Sequence, residues 1–466
     1  MNEIAFLVTV TLFITANIIL AFIRKKGESN TFTKFIADPN KHNTITIALT
    51  ITGTIVGGGM FLAVGQIGFE SVSAGLVLGL VYLVGLSIVG FASAKIRNKM
   101  ENEKHDTLID FLKVHYNEKI VILFSIVNIL MYLFLLASQF IAMFQFMQFV
   151  DGFIINKWIP IFLVCLASLS ILLIPIIGGL RKDIQTDILQ MIIIFIASII
   201  ICYKLFTTGD FSYSADYLKV PENHKNYGLV FIIGSILFLT PSFFVRMDIW
   251  QRIKSAKSNK SAKYGFIIAG VLSLFFFWLF TTIGMWANHI GVKETNYATL
   301  ELIYKVFDNP ILLGFLIGGF FAAVLSTADT LINAISIFST RLIYARQWEA
   351  KTEANISKEL LSKSRIIGLL VFGLAIILGY LIPNIVDLLV GAISLLLIFL
   401  PTILGLFLDS WKNLKASFYS SIVGLILFII LFATWNYKLA FAPAVVVSFV
   451  VYFIIRLTTK KQINQE

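Results

Sequence analysis

The polar residues of this chain that could do chemistry stand where polar residues are scarce. Ser326, Thr327, Asp329 and Thr330 fall within five positions in the middle of an apolar run, FAAVLSTADTLINAISIFSTRLIY, at 321–344. Hydroxyls in such a run often bond back to their own helix, and that reading suffices for Thr330 and Ser336. A carboxylate does not fit it, because a charged Asp at the centre of a bilayer costs about 2.5–3.5 kcal/mol even on the lenient scale. Asp329 thus marks a functional-site candidate. A second such stretch, TITGTIVGGGMFLAVG at 50–65, carries Gly57, Gly58 and Gly59 near the middle of another apolar segment. Each glycine weakens a helix by roughly 1 kcal/mol relative to alanine. Backbone freed in hydrocarbon must find partners in protein or in a wet cavity. Unwound carbonyls there can bind a cation; equally, Gly53 and Gly57 can form a GxxxG packing face.

Three further constellations carry charge or hydrogen-bonding capacity. In GGLRKDIQTDILQ, at 178–190, Arg181, Lys182 and Asp183 read as solvated loop charges. Asp187 and Gln190 stand at i and i+3 on the helix that follows, sharing a face, and Asp187 by position reads as a partner of that helix's N-terminal dipole. Asn128, Tyr132 and Gln139 share a face of one span, a stripe that reads as interhelical glue. Arg246, five residues after Pro241, has two readings: a snorkelling arginine paired with Asp248 or a neighbouring helix, or a guanidinium at the inner edge of a cavity for a carboxylate-bearing solute. No nucleophile, phosphate-loop or zinc-ligand pattern occurs, and His42, His105, His115, His224 and His289 all fall in loops or at segment ends. An enzyme is not expected. Cys165 and Cys202 lie in separate apolar segments and read as buried small hydrophobes, not a disulfide.

The elements that position these residues are membrane helices. Hydrophobic residues make up 58% of the 466-residue chain, charged residues only 14%, and mean hydropathy is +0.88, which describes an all-α polytopic membrane protein. Windows of about 20 residues place spans near 4–23, 44–66, 72–94, 120–149, 158–176, 184–206, 228–247, 264–288, 310–340, 366–382, 385–408, 416–435 and 439–457. The first follows Glu3 and precedes Arg24, Lys25 and Lys26, so its N-terminus is expected outside, and thirteen spans then put the C-terminus in the cytoplasm. On that assignment 30 of the 37 Lys and Arg fall inside. The net charge of +11 is therefore a membrane-topology signal and implies no nucleic acid. Trp158, Trp286 and Trp435 suit an outer interfacial belt, Trp250, Trp348 and Trp411 an inner one, and Trp278 the core. Residues 107–116 read as an interfacial helix on the inner face, and 207–227 as a polar outer loop. No soluble signalling module is expected after the last span.

Thr240-Pro241 interrupts the span at 228–247 much as the glycines interrupt that at 44–66. The chain then divides into a first helix (1–26), two runs of five spans (44–206 and 228–408) and two last helices with a tail (409–466). Paired interrupted helices opening oppositely oriented halves point to an inverted-repeat secondary transporter in a cell membrane, with its site at the midplane.

TIVGGGMF, GGLRKDIQTDILQ, WQRIKSAKS at 250–258 and AAVLSTADTLINAISIFSTRLIY together resemble the sodium:solute symporter family over about 44–408, in order, spacing and sidedness. The resemblance implies a leucine-transporter-type 5+5 inverted-repeat fold and Na+ as coupling ion. It implies a sodium site from the backbone carbonyls of Thr52, Ile55 and Ala323 with the hydroxyls of Ser326 and Thr327. It also implies that Asp187 belongs to a second cation site or ion exit path, which displaces the dipole reading. Gly57, Gly58, Gly59, Gln139 and Arg246 are expected along the solute cavity. The chain departs from the family's proline transporters at Thr54, where they carry an aspartate, and from many relatives at Leu342, where an Asp-Ile-Tyr triplet is usual. Arg246 replaces an asparagine that binds substrate in sugar transporters, which disfavours a sugar. The implied function is sodium-driven symport of a small polar organic solute, carboxylate-bearing if Arg246 faces it. A transporter-derived solute sensor is the alternative.

Overall fold

Apolar sequence this long must satisfy its backbone hydrogen bonds internally, and helices do so throughout the computed structural model of the chain. It describes residues 3–23, 35–36, 38–103, 105–151, 154–207, 227–344, 354–382, 384–408, 411–434 and 440–463. In chain order the helices are α1 (Glu3–Phe22), α2 (Thr44–Ile55), α3 (Gly58–Glu70), α4 (Val72–Asn102), α5 (Leu108–His115) and α6 (Glu118–Asp151). Then come α7 (Trp158–Ile177), α8 (Gly179–Thr207), α9 (Leu229–Val245), α10 (Met247–Ser255), α11 (Asn259–His289), α12 (Ala298–Val306) and α13 (Pro310–Ile343). The last are α14 (Ala354–Leu381), α15 (Ile385–Leu397), α16 (Leu400–Phe407), α17 (Leu414–Thr434) and α18 (Phe441–Ile463). Several begin at a polar cap just ahead of the apolar run. Asn43 accepts from the Thr46 amide at 2.9 Å, Ser258 from Ser261 at 3.1 Å and Asn309 from Ile311 at 2.9 Å.

Ten helices among the described residues are long and apolar enough to span a membrane, and three bent pairs bring the total to thirteen. The pair α2–α3 bends by 62° and α9–α10 by 56°. The second bend differs from expectation in place: α9 passes through a π turn (Ser235–Leu239) and a 3-10 turn (Thr240–Val245) and breaks at Arg246, not at Pro241. Pro241 sits in the first turn of the 3-10 segment, where a missing N–H costs little. The third bend, 45° between α15 and α16, lies inside the single span expected at 385–408, with Pro401 in the first turn after it.

Helix α13 is the hub, buried continuously from Gly318 to Arg341 and packed against α1, α2, α3, α6, α8 and α14. On the other side α11 packs against α2, α3 and α4. Its contact with α3 is nearly backbone to backbone: a Cβ on Gly284 would overlap the Gly65 carbonyl, and one on Gly68 the backbone of Thr281. A strap ahead of α2 runs beside the end of α10. Lys41 and His42 amides donate to the Ser255 carbonyl at 2.9 and 3.0 Å, and the Lys257 amide donates to the His42 carbonyl at 2.8 Å. The first broken helix thus starts on the face where the second ends.

Other expectations are corrected. Trp250 is buried, its Nε1–H donating to the Phe244 carbonyl at 2.9 Å, because α10 folds back into the protein. Trp278, expected in the core, is exposed on the bundle surface, and its Nε1–H caps the Leu76 carbonyl at 3.0 Å. Cys165 is exposed on that surface as well, which hydrocarbon makes cheap for a small apolar side chain, and Cys202 is partly buried. The segment expected to lie along the interface is α5, whose Leu108–Leu112 are buried and whose Asp110 binds Arg341 at 2.8 Å. Trp348, Trp435 and most of 207–227 lie outside the described residues.

The α3–α11 contact gives a direct test. Gly284→Val should lower the thermal unfolding temperature in detergent sharply, by overpacking worth about 1–3 kcal/mol or more. Gly373→Ala on α14, where nothing lies within 4 Å of an added Cβ, should leave it unchanged; equal behaviour of the two variants would refute this packing.

Candidate functional site

The break between α2 and α3 falls within the glycine-bearing stretch 50–65, and α13 packs against it. Helix α2 closes with the Val56 amide on the Thr52 carbonyl at 2.8 Å, Gly57 is extended, and α3 starts at Gly58. A Cβ on Gly53 would strike Ser326 Oγ, and one on Gly57 would strike Thr327 Oγ1. Lacking them, the backbone comes within hydrogen-bonding reach of α13: Thr327 Oγ1 lies 3.2 Å from the carbonyls of both Gly53 and Thr54. Gly58 packs on Val324, while the Gly59 amide donates to Gln139 Oε1 at 3.0 Å. The glycines allow close packing and the helix opens at them. Thr52, Ile55, Ala323, Ser326 and Thr327 are all buried around this break. Its neutral oxygens suit a hard cation such as sodium.

One turn nearer the basic face lies a charge network that the sequence reading missed. Arg252 of α10 reaches through Nη2 to Asp183 Oδ2 at 3.0 Å, Thr330 Oγ1 at 2.9 Å, and Thr50 Oγ1 and Thr54 Oγ1 at 3.2 Å each. Asp187 Oδ2 is 3.8 Å from the same nitrogen. Asp187 also accepts from Thr50 and from Ser326, which joins this network to the break. Asp183 is no loop charge: α8 begins at Gly179, whose φ of 58° lets the chain turn against Phe35, so Asp183 and Asp187 occupy the same face one turn apart. Lys182 is buried too, bonded to the Ile23 carbonyl and to Gln185 Oε1 at 3.1 Å. Thr330 does not bond back to its own helix; it donates to Asp183 at 2.9 Å. Ser336 does bond back, to the Ile332 carbonyl at 2.7 Å. The i, i+4 spacing of Asp183 and Asp187 was the available signal, hidden by reading 178–183 as a loop. Asp329 and Gln190 are buried beside one another, and among the described residues neither they nor Asn333 makes a side-chain hydrogen bond of ordinary geometry.

The stripe on α6 serves two functions. Asn128 bonds back to the Phe124 carbonyl at 3.0 Å, whereas Tyr132 donates to Asp248 Oδ1 at 2.5 Å and Gln139 holds α3. Asp248 also grips Arg246, through Nε at 3.0 Å and Nη2 at 2.8 Å. Arg246 therefore has the pairing that the first of its two readings required, and it lines a small cavity as well, with Tyr82, Leu239, Ser242 and Ile393. That cavity adjoins a larger chamber between α3, α4, α9, α11, α15 and α18, to which Tyr82, Leu239 and Ile393 also contribute. Gly57, Gly58, Gly59 and Gln139 line neither space.

Against this geometry, the sequence profile described as the sodium:solute symporter family matches residues 41–424. No curated protein matches by sequence. Among solved structures, the chain is similar to a Na+-coupled sialic acid symporter, described as substrate-bound and outward-open and as revealing a novel Na+ site, with TM-score 0.72, 16% identity and coverage of 97% of this chain and 98% of that one. It is similar also to Mhp1, a nucleobase-cation-symport-1 family transporter in a closed conformation with bromovinylhydantoin bound, with TM-score 0.59, 12% identity and coverage of 94% and 96%. These likenesses identify the fold as the leucine-transporter type.

The Arg252–Asp183 pair is testable through its coupling. Asp183→Asn should destabilise the protein by about 3–5 kcal/mol, because it strands a buried guanidinium. Adding Arg252→Gln should restore most of the loss in thermal unfolding. A double variant no more stable than Asp183→Asn alone would show that the two are not a pair.

Proposed function

Since the chain belongs to the sodium:solute symporter family, and is thus a sodium-coupled transporter of the multi-pass membrane class and not an enzyme, we propose that its ion binds in the α2–α3 break and its organic solute in the chamber beside it. The ligands are the carbonyls of Thr52, Ile55 and Ala323 and the hydroxyls of Ser326 and Thr327. The carrying observation is Thr327 Oγ1 held 3.2 Å from the Gly53 and Thr54 carbonyls, which sets α13 against the end of α2 where Thr52 and Ile55 stand on either side of that pair. A site that fills and empties in each cycle is better made from neutral dipoles than from a rigid carboxylate cage. Asp187, which accepts from Ser326, lies on the ion's path toward the basic face, or in a second cation site. That face, rich in Lys and Arg, is the cytoplasmic one, which puts the N-terminus outside and the C-terminus inside. The solute carries a carboxylate, with Arg246 as its recognition group.

The driving force is sufficient for uptake. One inward charge gains about 2.3 kcal/mol per 100 mV, and a tenfold sodium gradient adds about 1.4 kcal/mol. Together these sustain several-hundredfold accumulation. Binding the ion between α2, α3 and α13 ties the opening helix to the hub, and so couples occupancy to closure.

The site can be tested without knowing the solute. Sodium, titrated against choline, should stabilise the purified protein to heat. Ser326→Ala and Thr327→Ala should each raise the midpoint of that titration roughly tenfold, the equivalent of about 1.4 kcal/mol. Wild-type midpoints in both variants would overturn the assignment.

A further inference from the structure

We propose that the solute is a short apolar monocarboxylate, its carboxylate on Arg246 and Tyr82 and its body in the adjoining chamber. This rests on the symporter reading above and names the substrate class for it. The chamber is walled by Val64, Ile67, Leu78, Phe277, Leu389 and Phe441 among others, and among the described residues the only hydroxyls on it are those of Tyr82 and Ser394. Among the described residues no Asp, Glu, Asn or Gln lines it or the smaller cavity at its end. Ser394 Oγ is committed to the Val390 carbonyl at 2.5 Å, and Ser242 Oγ in the smaller cavity to the Leu239 carbonyl at 2.6 Å.

Two donors remain. Arg246 spends Nε and Nη2 on Asp248, and its Nη1 makes no hydrogen bond among the described residues. Tyr82 is 5% exposed, stands where the two spaces meet, and its hydroxyl likewise makes no hydrogen bond among the described residues. Its ring is fixed by Phe277 at 4.3 Å and Phe243 at 5.2 Å, so the hydroxyl has little freedom to seek another partner. Donors without acceptors suit a carboxylate. An ammonium group would find none of its needs met, because Asp248 already accepts from Tyr132 at 2.5 Å and twice from Arg246. A sugar would strand most of its hydroxyls on an apolar wall. The chamber has room for only a few water-sized molecules, which suits the apolar body of a short acid.

The test uses the full-length protein, with thermal stabilisation and uptake into proteoliposomes read in sodium and in choline. Isovalerate is the probe, compared with its methyl ester, leucine, glucose and succinate. Isovalerate alone should bind, in sodium, and its affinity should fall severalfold in Tyr82→Phe and at least tenfold in Leu389→Trp. The double variant Arg246→Gln with Asp248→Asn, which removes both charges of the pair together, should also lose at least tenfold. Sodium-dependent binding of leucine, glucose or succinate without isovalerate would overturn the substrate class and leave symport standing, as would binding of none of them. Equal binding of the methyl ester, or unchanged affinity in all three variants, would overturn the class too. Isovalerate binding indifferent to sodium would keep the class and overturn the coupling.

Discussion

A helix may open inside hydrocarbon only where protein groups take over its backbone hydrogen bonds, and the α2–α3 break meets that condition through α13. Thr327 bonds the released carbonyls of Gly53 and Thr54, and Gln139 receives the amide of Gly59. The three glycines matter because they bring these partners within reach. A side chain at 53 or 57 would hold α13 off, leaving the loosened backbone unpaired. The polar cluster on α13 and the glycine run on α2–α3 are two halves of one requirement, although 274 residues separate Gly53 from Thr327 in sequence.

The same requirement governs the charges. Asp183 and Asp187 are tolerated in the interior because Arg252 comes between them from the opposite half of the chain, with Thr50, Thr54 and Thr330 supplying hydroxyls. The guanidinium is a fixed cation beside the proposed sodium site, and Ser326 links the two by donating to Asp187. Any change in the ion's occupancy is therefore felt by a network that touches α2, α8, α10 and α13 at once. Buried ion pairs are weak sources of stability but strong sources of register, and here the register is that of four elements around one site.

The fold was legible because its causes are local: apolar run lengths, alternating basic loops and paired interruptions each act within a few tens of residues. Ser326, Thr327 and Gly57 stand out in the sequence for the same reason, as polar or permissive residues out of place, whereas Asp187 reads locally as a helix-dipole partner and stands out only through the family resemblance. What could not be read was tertiary. Whether Asp183 faces water or Arg252 depends on α8 starting at a left-handed glycine pressed on Phe35, and nothing in 178–183 announces that contact. Trp250 and Trp278 exchanged roles because one helix turns back into the protein and another lies at its surface. The apolar chamber draws its walls from six elements, so no single stretch carries its signature.

The strap at 40–42 joins α2 to α10 through main-chain atoms alone. Side-chain contacts can be lost or exchanged by one substitution, whereas an amide–carbonyl pairing survives almost any change except to proline. Evolution is thus free to rewrite the walls of the chamber, and with them the choice of cargo, while the two broken helices stay mechanically yoked at one face. Divergence in what is carried need not disturb how the carrier moves.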